Sequence, residues 1–184
     1  MKTSFLGLAS LALAGVLMAA DGGSLTFKSY LSAANNLKFV GWDGAPVQSP
    51  DWYCTLTDTD GRQVQGVRIG GDGSLIPVVA SFTGATGFVA GGGDWMLRGF
   101  DQGGRYTFQF VAYYDPIGAG YGGAFLRMGS SPLSVVLGGD GLVPPVPPGK
   151  FDFGGARVAV IFPEPSVLAL WVLGLGVWIA RRSR

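Results

Sequence analysis

The chain has 184 residues, 13 of them basic and 12 acidic, with 48% hydrophobic side chains and 32 glycines; with its two ends set aside, this length holds one domain of ordinary size. It has no histidine and a single cysteine, which excludes Ser-His-Asp and Cys-His catalysis, His-ligated zinc or haem, an internal disulfide and a multi-cysteine metal site. Between Asp21 and Phe162 nine basic residues face eleven aspartates, so there is no basic stripe to neutralise phosphates and nucleic-acid binding is not expected.

Residues 1–20 carry Lys2, then an almost wholly apolar or small run from Phe5 to Met18, then Ala19 and Ala20. This is the layout of a secretory signal peptide with a small-residue cleavage site, although Met18 is large for its place before the cut. The alternative is an uncleaved anchor helix. The apolar run is shorter than the roughly 20 residues that span a bilayer, which favours cleavage. No cysteine follows it, so a lipoprotein anchor is not available.

The body, residues 21–162, consists of short apolar runs broken by glycine and aspartate. Strands are expected in Ser24–Leu31, in two segments of Trp52–Ile69 joined by a turn at Asp58-Thr59-Asp60-Gly61, from Ser74 to Phe82, from Tyr106 to Asp115, in Pro132–Leu137 and in Ala156–Phe162. Such spacing predicts a mainly β fold, an antiparallel β-sandwich of jelly-roll or Ig-like type, or else a barrel. Alternation places Phe108 and Phe110 inward with Tyr106, and Thr107 and Gln109 outward. No fixed internal period points to a solenoid or propeller. Asn35–Gly44 and Asp140–Gly149 are less regular, and Val143–Pro148 reads as an extended polyproline connector.

Chemical motifs in the body are few. Cys54 lies within Trp52-Tyr53-Cys54-Thr55-Leu56 and reads as a buried strand residue rather than a nucleophile. Asp58-Thr59-Asp60-Gly61 opens like an EF-hand loop, but the twelfth position is Ile69 instead of Glu, so a hairpin turn explains it better. A different calcium site would need Asp58, Asp60, Asp72, Asp94 and Asp140 to converge. Gly118 to Gly123 has the letters of a dinucleotide-binding motif, yet AFLRMGSSP follows it where a long helix must stand. The only Glu lies outside the body, so glycoside hydrolysis would rest on an unmarked aspartate pair. Trp42, Trp52 and Trp95 are either packing residues or platforms for sugar rings. No cofactor and no metal is expected.

The C-terminus reads Pro163-Glu164-Pro165-Ser166, an uncharged stretch from Val167 to Ala180, then Arg181, Arg182, Ser183 and Arg184. The prolines forbid continuous helix through Glu164 and leave it extended and accessible. The apolar stretch is slightly short for a transmembrane helix, a shortfall that snorkelling arginines and local bilayer thinning accommodate. The arginines favour a cytoplasmic C-terminus and the leader an exported body, so the two orientation signals agree.

Proline-flanked glutamate, apolar helix and terminal arginine cluster together resemble the PEP-CTERM sorting tail of Gram-negative bacteria, over residues 163–184. The resemblance implies that Pro163, Glu164 and Pro165 are recognised in this chain, as a substrate, by an exosortase-type processing enzyme. It implies that Arg181, Arg182 and Arg184 form the stop-transfer cluster. The expected protein is therefore non-enzymatic and exported, passing through the inner membrane to the cell surface or an extracellular matrix. Its role there would be structural or adhesive, with exopolysaccharide as a partner. Two alternatives stand beside it: a secreted Asp-dependent carbohydrate-active hydrolase, and a plain single-pass membrane-anchored protein.

Overall fold

Aspartate and glycine turns separate several of the strands in the body, the Asp58–Gly61 turn after the strand Trp52–Thr57 among them. The computed structural model describes residues 22–41, 43–90, 92–118, 120–124, 126–139 and 147–161. The expected leader, Trp42, Asp140 and the whole of the expected sorting tail, including Pro163, Glu164, Pro165, Arg181, Arg182 and Arg184, lie outside them. The expected signal helix and transmembrane helix therefore fall outside as well; among the described residues no helix is long and apolar enough to cross a membrane.

The protein is mainly β, with antiparallel sheets. The described strands are β1 (Ser24–Thr26), β2 (Trp52–Thr57), β3 (Gln65–Arg68), β4 (Leu75–Pro77), β5 (Val79–Phe82), β6 (Val89–Ala90), β7 (Asp94–Leu97), β8 (Arg105–Tyr114), β9 (Arg127–Ser130), β10 (Leu133–Val136) and β11 (Val158–Ile161), with one helical turn, α1 (Gly120–Gly123). One sheet runs β1-β7-β3-β4, the other β11-β9-β8-β2-β5-β6, and β10 pairs with β8.

The Asp58–Gly61 turn forms as the residues require. Asp58 Oδ1 accepts the backbone N–H groups of Asp60 and Arg62 at 2.9 and 2.8 Å, and Gly61 takes φ +77°, which an L side chain rarely adopts. Beyond the turn, the Val64 N–H returns to the Leu56 carbonyl at 2.9 Å before β3 departs to the other sheet. The run from Leu75 to Phe82 makes the same crossing. At Val78 the N–H bonds Val64 O and the carbonyl accepts Leu56 N–H, at 2.9 and 3.1 Å. Before Val78 the strand pairs with β3, and after it with β2. A strand that changes sheets in this way makes a corner.

β8 is the spine. Its Gln109–Tyr114 half pairs with β2 on one flank; on the other, β9 and then β10 run end to end alongside it. The register slips by one residue between the pairs Val111–Gly129 and Phe108–Leu133. Pro132, without an N–H, sits in that bulge. Past β10, Gly138 and Ser24 exchange reciprocal backbone bonds of 2.8 Å, joining this flank to β1. The hydrogen-bonded path β1-β7-β3-β4/β5-β2-β8-β10 thus returns to β1.

Phe108 and Phe110 point into the core and are fully buried. Phe110 meets the rings of Phe27 and Phe151, both with centroids at 4.9 Å, and Phe153 at 5.5 Å. Each such ring contributes about 1.5–3 kcal/mol by leaving water. Thr107 and Gln109 take the other face, half-buried, with Thr107 Oγ1 3.1 Å from Ser134 Oγ. Tyr106 reaches only the margin of the core, edge-on to Phe100 at 5.0 Å. The far half of β8 departs from simple alternation, since Val111, Ala112 and Tyr113 are all buried. The connection to β9 folds back there: the Tyr121 ring meets Tyr113 at 5.6 Å, and its hydroxyl donates to Gly61 O at 3.3 Å.

Candidate functional site

The inner face of β2, β8 and β9 runs outward in rows. Cys54, Ala112 and Met128 form one row, and Trp52 with Tyr114 forms the next. There the strands stop, closed by the Asp115 N–H on Asp51 O at 2.7 Å. A loop arrives opposite. Asp43 Oδ1 accepts the Ala45 N–H at 2.9 Å, Gly44 has φ +77°, and the Val47 N–H bonds Phe39 O at 3.1 Å. The aspartate-capped turn is a local structure that Asp and Gly favour.

Between this loop and the last row of the sheet lies an open groove of about 310 Å3. Its floor is the buried pair Val47 and Met128. One wall is the Trp52–Tyr114 cross-strand pair, with ring centroids 5.3 Å apart and planes at 49°. Pro46 and Leu126 add apolar surface, and the exposed Asp43 and Gln48 stand at the rim. The Gln48 amide, the Trp52 indole N–H and the Tyr114 hydroxyl have no hydrogen-bond partner among the described residues. No basic side chain is among the residues lining the groove.

The three body tryptophans thus part company. Trp95 is a core residue whose indole N–H donates to Gly92 O at 2.6 Å. Trp52 walls the groove. Trp42 lies outside the described residues.

The aspartates suggested for calcium are occupied one by one. Asp58 holds its turn. Asp60 lies 3.3 Å from Arg62 in an exposed ion pair. Asp72 is held below the usual carboxylate range by the backbone N–H and hydroxyl of Ser74, and Asp94 accepts the Thr26 hydroxyl at 2.6 Å. Asp140 lies outside the described residues, among which no three potential metal ligands come together. The glycine motif forms only α1, within the β8–β9 connection, with the Gly120 N–H on Asp115 Oδ2 at 2.8 Å. Cys54 is fully buried, and that burial pushes its thiol well above the ordinary range.

Sequence reasoning singled out Trp52 but missed Tyr114, Asp43 and Gln48. Alternation along β2 and β8 could have put Trp52 and Tyr114 on the core-facing side. The approach of the Asp43 loop is a tertiary event with no local signature. No protein-family model, no curated protein and no solved structure matches the chain.

Proposed function

We propose that this is an exported, non-enzymatic bacterial surface or extracellular-matrix protein, sorted by an exosortase-type enzyme through residues 163–184. The observation that carries the reading is the ordered set at the C-terminus: Pro163-Glu164-Pro165, the apolar stretch Val167–Ala180 and the cluster Arg181, Arg182 and Arg184, in a chain that opens with a leader. The inner membrane holds it transiently, and the tail is removed before the body reaches the surface of a Gram-negative cell.

The body supports this role in two ways. The described aspartates of the calcium set are spread over separate turns and strands, and among the described residues the groove is lined by one carboxylate, Asp43. That scatter supports a structural or adhesive task over Asp-dependent hydrolysis of carbohydrate. The finer architecture belongs to the same reading: the two sheets are the faces of an antiparallel sandwich, of jelly-roll or Ig-like class, joined where strands cross between them. β11 ends at Ile161, and in the sequence the proposed sorting motif follows one residue later.

Intact mass of the protein recovered from its host's surface and medium tests the proposal. A mature C-terminus near Pro163–Pro165 is expected. Protein that keeps Trp171, Trp178 and the arginines throughout would make the tail a plain single-pass anchor.

A further inference from the structure

We infer that the groove between the Asp43 loop and the Trp52–Tyr114 pair binds saccharide, and that it takes a neutral pyranose ring and rejects an acidic one. This deepens the surface-protein reading, on which its biological setting rests, by giving the body a ligand site and a specificity.

The position is the first argument. The rows of side chains on the inner face of β2, β8 and β9 end at Trp52 and Tyr114, so the groove is the open mouth of the interior. Mouths of β structures are favoured ligand sites because a rigid ladder fixes the walls while loops complete them. Its volume, about 310 Å3, lies at the small end of ligand pockets, which run from about 300 to 1,000 Å3. That space suits one sugar ring at a chain end.

The chemistry is the second. A pyranose presents C–H groups on its faces and hydroxyls at its rim. The groove mirrors that division. Val47 and Met128 close its floor, and Trp52 and Tyr114 offer ring surface for C–H contact. Polar capacity stands at the edge. The Gln48 amide can both donate and accept. The Trp52 Nε1–H and Tyr114 hydroxyl are unpartnered among the described residues, and Tyr and Trp combine an apolar body with a polar handle. Asp43 commits Oδ1 to the Ala45 N–H, which leaves its second oxygen to accept hydroxyl protons.

Charge supplies the specificity. Among the described residues, Asp43 is the only charged one lining the groove. A uronate carboxylate entering it would meet a like charge without a compensating cation. Such a juxtaposition weakens binding and selects against the wrong partner.

The test uses the protein as recovered from its host, with the indole N–H resonances followed by heteronuclear NMR. Cellotriose, maltotriose and tri-N-acetylchitotriose are the neutral probes, and trigalacturonate is the acidic one. At least one neutral probe should bind saturably in the millimolar range and shift the Trp52 indole signal. The Trp95 signal, held on Gly92 O, should stay in place. Trp52→Ala should weaken that binding by about tenfold or more, as loss of an aromatic anchor does, while Trp52→Phe should keep most of it and report on folding. Asp43→Asn keeps the Oδ1 acceptor of the turn and removes the charge; it should raise trigalacturonate binding relative to that of the neutral probes.

Three results would overturn the inference: no neutral probe moving the Trp52 signal, binding unaltered in Trp52→Ala, or trigalacturonate binding the native protein as well as the neutral probes do. None of these bears on the mature C-terminus. Conversely, a retained tail would leave the titration standing.

Discussion

Cys54 and Tyr113 lie one step apart on the β2–β8 ladder, Cys54 opposite Ala112 and Tyr113 opposite Tyr53. Burial raises both acids. The Cys54 thiol goes well above its ordinary range. Tyr113 is raised from 10.0 to about 12 by burial, then by the negative charge of Asp115 and by Cys54 and Tyr53. In each case the folded state holds a proton that the unfolded chain releases first, so stability falls as pH rises. For Tyr113 the loss begins near 10.0 and is complete above about 12. Urea titrations across that range should show it, and Tyr113→Phe should flatten the fall. Cys54, buried within its strand, should react with an aromatic disulfide reagent only after denaturant exposes it. Gly138 is a different kind of residue constraint. A Cβ there would collide with the Pro147 carbonyl oxygen, beside the bonds that tie Gly138 to Ser24. Gly138→Ala should cost about 1–3 kcal/mol in chemical denaturation, the usual penalty of forced overpacking.

At the scale of the element, the bulge between β9 and β10 depends on one hydroxyl. The slip in register takes β9's backbone away from the Phe110 N–H, and Ser130 Oγ accepts that N–H at 3.0 Å while donating to Ser131 O at 2.8 Å. Ser130→Ala leaves a buried donor unpaired. The expected loss is about 1–3 kcal/mol, readable as a lower melting temperature. This element also shows what local sequence could reveal. Tyr106–Asp115 announced β8 through its aromatic and β-branched run, and Asp58–Gly61 announced the turn that ends β2 through its own chemistry. β11 and β10 likewise fell where branched residues cluster. β9 did not: Arg127-Met128-Gly129-Ser130 has no β-branched residue and is strand only because β8 and β11 flank it. β7 hid within glycine-rich sequence, where Asp94 read as turn material although it opens the strand. The expected strand Ser24–Leu31 shortened to three residues. In the candidate groove, Trp52 stood out as an aromatic and alternation along β8 could have added Tyr114, whereas Asp43 and Gln48 join through a long-range approach.

Across the whole molecule, the core draws its rings from separated parts of the chain. Phe27, Phe110, Phe151 and Phe153 form one cluster. The Asn35 side chain pins the last two by donating to Phe151 O at 3.1 Å and accepting the Phe153 N–H at 2.8 Å. A chain ending at Val136 would keep most strands but lose these rings, the Gly138 link and β11. It should fail to fold, giving a collapsed species without fixed tertiary signals in near-ultraviolet circular dichroism.

The link between β1 and its late partners also governs the order of events in time. Ser24 closes on Gly138 and Gly149, so β1, which already pairs with β7 on one edge, fills its other edge only when nearly all the rest exists. Contacts of such separation carry a large loop-closure cost and form slowly. The closed hydrogen-bonded path is therefore among the last features of the fold that a growing chain can complete.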